Sequence, residues 1–312
     1  MTAETPAGVA STQAVRPGRQ IAMITLVAIA IFWGMLLLPT GTNLSHMDFR
    51  VNAKNSIEFC DPLNPQFIPV VAVRSPVVMT LATAAMPAAG TAVSGVVMLR
   101  TASGKGVVPE DLLVTHTEML HLLIVDPTLT DYQHVHPKPA KKPGEWNFSY
   151  TPRLAGTYRI FSDFTPAATG RGLYSSVDLV VRGVLTDSTP DLRGGGRIER
   201  EGLVFTLQTA PQPVRAGQPA DLRFAIERAT GGAVALEPVM GAFAHLVAFD
   251  EARSGFAHLH PAELDLLKPP DATKPVLNFK LTIPRAGRYV VWAQIKVAGR
   301  ESFVPFALAV SE

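Results

Sequence analysis

After residue 71 the chain says nearly the same thing twice, and this constrains its fold more than any other feature. "VVMTLATAAMPAAGTAVSGVVMLRTASGKG", from Val77, is answered by "LVFTLQTAPQPVRAGQPADLRFAIERATGG", from Leu203. "HLLIVD" at His121 returns as "HLVAFD" at His245, and "YQHVHP" at Tyr132 as "FAHLHP" at Phe256. "PRLAGTYRIF" returns as "PRAGRYVVW", one residue shorter. A repeat of this length is read as a folding unit in its own right, so the first decision is to divide the chain into copies. The copies span 72–185 and 200–312, and the polar, glycine-rich stretch around "TDSTPDLRGGGR" makes 186–199 a linker.

Within each copy the period is two. Leu222, Phe224 and Ile226 alternate with Arg223, Ala225 and Glu227, the pattern of a half-buried strand. Turn signals such as "ASGKG", "ATGG" and "RAG" cut the copies into short strands, which predicts a sandwich in each. The repeated A-G-x-Y element (Ala155, Gly156, Tyr158; Ala286, Gly287, Tyr289) resembles the corner tyrosine that opens a late strand in immunoglobulin-like folds. The expected fold is therefore all-β: two tandem Ig-like β-sandwich domains, an internal duplication, behind one N-terminal transmembrane helix.

That helix is expected at 21–38, "IAMITLVAIAIFWGMLLL", which carries no charge and is long enough to cross a bilayer. Arg16 and Arg19 precede it and no basic residue follows until Arg50. The asymmetry keeps 1–20 in the cytoplasm and places the rest outside, with the run retained as a signal anchor in the cell membrane. The alternative is a cleaved signal peptide and a secreted or periplasmic product, although the run is long and lacks a small-x-small cleavage site. Residues 39–71 read as an irregular juxtamembrane segment packing on the first sandwich. The single cysteine, Cys60, excludes an intramolecular disulfide and a cysteine-based zinc site. A net charge of +2 with scattered basic residues gives no nucleic-acid footprint.

The chemistry lies in the histidines. H-x12-H-x-H-P occurs twice, on His121, His134 and His136 and on His245, His258 and His260. If each pair of strands forms a hairpin, His134 and His136 share a face, because strand side chains alternate. Centring the first turn between Pro127 and Thr128 sets His121 opposite His134. Three imidazoles then converge, as a Zn or Cu site with an open position requires. His116, Glu118 and Met119 stand close by in the first copy, and Met240 takes the place of His116 in the second; a thioether leans towards copper over zinc. The competing reading is structural histidines, because "HLLIV" is apolar on both faces and its orientation is open. His46 is read as solvated, and the lysines after the first H-x-H (Lys138, Lys141, Lys142) and acids after the second (Glu263, Asp265) as solvated loops. Asp163 becomes Gln294 in the second copy, so no carboxylate is duplicated near the histidines.

No G-x-S-x-G elbow, H-E-x-x-H or phosphate loop is present, and no catalytic residue is assigned. With its His and Met candidates, the sandwich resembles bacterial extracytoplasmic copper-handling domains of the CopC-like kind. The "AGTYRIFSDF" and "AGRYVVWAQI" strands are similar to YtkA-like and FixH-like modules. The chain departs from CopC-like proteins in having no Met-rich loop and no ligand at a processed N-terminus. The resemblance implies binding or transfer of copper, with zinc as the alternative metal and a membrane protein or metal recipient as partner. A different class of function remains beside it: a structural or interaction protein whose sandwiches serve a membrane complex.

Overall fold

The computed structural model describes residues 17–37, 44–45, 47–49, 65–184 and 196–312. Residues 1–43 and 44–312 form two units. The first contains helix α1 (Pro17–Leu37). Pro17–Met35 of it qualifies as a membrane span by length and composition, with none of that stretch buried. At about 1.5 Å per residue its length matches a hydrocarbon core of roughly 30 Å. Such a helix is apolar enough for a membrane anchor or a signal sequence.

The second unit is mostly β, with a short 3-10 helix at Pro109–Asp111. The first copy supplies β1 (Val77–Thr83), β2 (Val93–Thr101), β3 (Leu120–Val125), β4 (Tyr132–Val135), β5 (Glu145–Tyr150), β6 (Gly156–Pro166) and β7 (Leu173–Val181). The second supplies β8 (Leu203–Ala210), β9 (Pro219–Arg228), β10 (Ala244–Asp250), β11 (Phe256–Leu259), β12 (Val276–Thr282), β13 (Gly287–Val297) and β14 (Arg300–Ser311). In the first copy β1–β2–β5 make one sheet and β7–β6–β3–β4 the other. In the second, β8–β9–β12 and β14–β13–β10–β11 repeat that order. One apolar cluster lies between the two sheets of each copy. In both, the tyrosine opening β6 or β13 brings its hydroxyl to the carbonyl four residues back: Tyr289 donates to Arg285 O at 2.9 Å, and the Tyr158 oxygen lies 3.1 Å from Leu154 O while its hydrogen goes to Asp131 Oδ2 at 2.7 Å.

A third apolar cluster joins the copies, and it decides which way the histidines face. Along β3, Leu120, Leu122 and Ile124 enter the first copy's core, while Leu123 and Val125 enter the shared cluster. Along β10, Ala244, Leu246 and Ala248 point inward, and Val247 and Phe249 join the same shared cluster. "HLLIV" is apolar on both faces because both faces are buried, one in its own core and one against the other copy. The contacts across this interface are reciprocal. Tyr132 meets Trp292, with ring centroids 5.8 Å apart, and Phe256 meets Phe161 at 5.4 Å. Arg159 donates to the carbonyl of Arg253, and Arg253 to that of Thr157.

Two expectations are revised here. Residues 65–71 pack on the second copy: the Ile68 and Phe256 backbones exchange hydrogen bonds of 2.8 and 3.1 Å, and Phe67 enters the second copy's core. The physical reason is that β11 is the end strand of its sheet and its edge is covered in this way. Among the described residues upstream of these, Leu44 and Phe49 reach the first core. The hairpin register is also displaced. Val125 pairs with Tyr132 and Leu123 with His134, so His121 falls opposite His136, not His134. The loop is longer than expected because the Asp126 carboxylate gathers the backbone N–H groups of Thr128, Thr130 and Asp131, each at 2.8 Å, into a six-residue turn. A shift of two residues preserves the face, so the three histidines still share it.

Candidate metal centre

Each triad is assembled by the same local devices. Tight turns at Thr115–Glu118 and Val239–Ala242 precede β3 and β10, each closed by a pair of backbone hydrogen bonds. Their two central residues have positive φ (His116 51°, Thr117 70°; Met240 50°, Gly241 75°), as a hairpin turn of the primed type requires. The first turn residue offers its carbonyl to the first histidine: His121 Nε2–H donates to Thr115 O and His245 Nε2–H to Val239 O, both at 2.9 Å. The middle histidine is fixed from the other copy. His134 Nδ1–H donates to Gln294 Oε1 and His258 Nδ1–H to Asp163 Oδ2, both at 3.1 Å. Gln294 is oriented for this by donating its own Nε2–H to Glu301 at 2.9 Å.

These acceptors fix the tautomers. A carbonyl, an amide oxygen and a carboxylate can only accept, so each ring nitrogen facing one carries the hydrogen. In a neutral imidazole the other nitrogen then presents a lone pair. The two remaining nitrogens of His121 and His134, Nδ1 and Nε2, face each other at 3.1 Å, and those of His245 and His258 at 3.3 Å. Lone pairs so opposed do not hydrogen-bond. Two nitrogens bound at about 2.0–2.1 Å to one tetrahedral ion would stand roughly 3.3 Å apart, which is the spacing found. The third member of each triad, His136 or His260, has a buried Nε2 without a hydrogen-bond partner. Each triad offers three ligand nitrogens within 4.8 Å of one another.

The two triads are neighbours. His134 and His258 have ring centroids 5.3 Å apart across the interface, and His121 and His258 5.9 Å. His116, from the first copy, stacks on His260 of the second at 3.6 Å. Met240, from the second, lines a cavity of about 380 Å³ with His134 and His136 of the first. The six histidines of the repeated motif thus gather in one place, with His116 and Met240 over them. Met119 does not join: its side chain packs against the first copy's core. Glu118 is held by Lys138 at 2.6 Å. Lys142 pairs with Glu145 and Lys268 with Asp265, and Glu263 holds Asn278. His46 and Cys60, and most of the linker, lie outside the described residues. Sequence reasoning missed Asp163 and Gln294 as partners of the middle histidines. Their signal was a polar acceptor at one position of both copies, on the face that otherwise carries Phe161 or Trp292.

Burial, and then the charge of the other histidines, lower the proton affinity of five of these imidazoles. His136 is pushed down to about 4 and His245 to about 3, while His134, His258 and His260 are also lowered. An unfolded chain takes up protons near pH 6.5, before the folded one does, so stability should fall as pH drops from about 6.5 towards 4. The metal-free chain should therefore melt progressively lower between pH 7 and pH 5 in calorimetry. A melting temperature flat across that range would contradict this electrostatic picture.

Fold and site define an apolar-helix-bearing β protein with two facing histidine triads. The chain belongs to the family described as Domain of unknown function (DUF8832), whose profile matches residues 75–179 and 198–312. No curated protein matches it. Among solved structures it is similar to a DUF4785 family protein from Legionella pneumophila (TM-score 0.26, 9% identity, 75% of this chain and 56% of that one). A mutant Salmonella alpha-2-macroglobulin (0.25, 14%, 75% and 15%) and red sea bream transglutaminase (0.22, 8%, 77% and 32%) are also similar. The chain thus spans about half the length of the Legionella protein and a smaller part of the other two.

Proposed function

We propose that the protein is a membrane-anchored, extracytoplasmic metal-binding protein that buffers or hands on copper through the two triads, His121/His134/His136 and His245/His258/His260. Two Ig-like sandwiches, related by duplication, carry them; the matching strand orders and the paired corner tyrosines support that description. The observation that carries the metal reading is the opposed lone pairs at 3.1 and 3.3 Å, with their tautomers fixed by acceptor-only partners. A bound cation satisfies all three nitrogens of each triad at once. Three imidazoles suit copper or zinc, and Met240 beside the first triad tilts the choice to copper. The resemblance to CopC-like and YtkA-like modules agrees with binding and transfer and not with catalysis. The N-terminal helix would anchor the chain in the membrane, and the recipient would be a membrane protein.

The test is equilibrium dialysis of the full chain in detergent against copper and against zinc, with bound metal counted by mass spectrometry. Up to two ions per chain are expected, and the His134→Ala, His136→Ala double variant should lose one of them. Binding no tighter than about millimolar for either ion would sink the proposal, and the triads would then be structural histidines of the interface.

A further inference from the structure

The two triads are equivalent in sequence but not in the groups that touch them from the opposite copy. Each middle histidine leans on an acceptor from the opposite copy. For His134 it is the neutral amide of Gln294, and for His258 the carboxylate of Asp163. Each triad also meets a residue of the opposite copy: Met240 lines the cavity beside His134 and His136, and the His116 imidazole stacks on His260. So one site combines a methionine and an amide backing group, with the Glu301 carboxylate one step further out behind that amide and Lys296 beside it in the cavity. The other combines a stacked imidazole and an anion.

We propose that the centre is a pair of chemically distinct sites, the first for Cu(I) and the second for a divalent ion, Cu(II) or Zn(II). Thioethers select monovalent copper, whereas imidazole suits copper and zinc in the divalent state. A carboxylate accepting from the Nδ1–H of a ligand histidine makes that histidine more basic and offsets part of a second positive charge; an amide does so less. Because every distinguishing group comes from the other copy, neither copy alone would show the preference. This rests on the metal-binding reading above and refines it.

The full chain in detergent is loaded anaerobically with reduced copper and Zn(II) together, freed of excess, and its metals counted. One copper and one zinc per chain are expected. Met240→Leu should weaken Cu(I) binding by about 10- to 100-fold and leave zinc in place, and Asp163→Asn should weaken zinc by a similar factor and leave Cu(I) in place. His116→Phe keeps a ring to stack on His260 but removes its nitrogens, and should affect zinc alone. Two ions of one metal taken up from that mixture by the unaltered chain would overturn the proposal, as would any of these variants lowering both metals in parallel. In either case the metal-binding reading survives. An unaltered chain that binds neither metal would overturn both.

Discussion

Replacing His134 and His258 together by alanine is expected to abolish tight metal binding, whereas each single replacement should remove one ion. Each is the middle ligand of its triad. Each presents a nitrogen at 3.1 or 3.3 Å from the first ligand and has its other nitrogen locked from across the interface. Without it two ligands remain, separated by a void, and affinity should fall by more than the roughly 10- to 100-fold typical of losing only an outer partner. Titration with a chromophoric chelator in competition reads the effect. If the double variant binds as tightly as the unaltered chain, the triads do not hold the metal. The double variant also bears on stability. It relieves two pairs of opposed lone pairs but leaves two voids and takes the donors from Gln294 and Asp163, so its metal-free form should have a lower urea midpoint, and the loss of metal is to be read on protein that is still folded.

The second large effect concerns the interface that brings the triads together. Trp292→Ala should destabilise the chain by about 3–5 kcal/mol, the usual range for removing a buried tryptophan. Trp292 is 2% exposed, lies in the cluster shared by both copies, and donates its indole N–H to Leu129 O at 3.2 Å. The loss therefore combines a cavity with an orphaned buried carbonyl. Trp292 lies two residues from Gln294 on the same face of β13, so the partner of His134 should lose its position as well. The expected result is a lower urea midpoint together with weaker metal binding at the first triad. An unchanged midpoint would show that the copies do not depend on each other through this cluster.

Much of this was legible in the residues. The duplicated spacing of the histidines marked both triads, and the alternation of apolar and polar residues marked the strands. The shared face of His121, His134 and His136 survived a hairpin register two residues away from the expected one, because parity alone sets the face. What was not legible depended on contact between the copies. A strand apolar on both faces, such as Leu120–Val125, does not say which face meets its own core, and only the third cluster answers that. The pairing of His134 with Gln294 and of His258 with Asp163 spans 160 and 95 residues, far beyond any local pattern. Met119 illustrates the opposite error: proximity in sequence suggested a ligand where packing made it part of a core.

The most direct measurement is X-ray absorption at the metal edge of the full chain loaded with copper or zinc. The account predicts a first shell dominated by nitrogen at about 2.0–2.1 Å with imidazole scattering behind it, from two ions per chain, halved in amount by His134→Ala. A first shell made mainly of carboxylate or water oxygen, unchanged by that substitution, would contradict it.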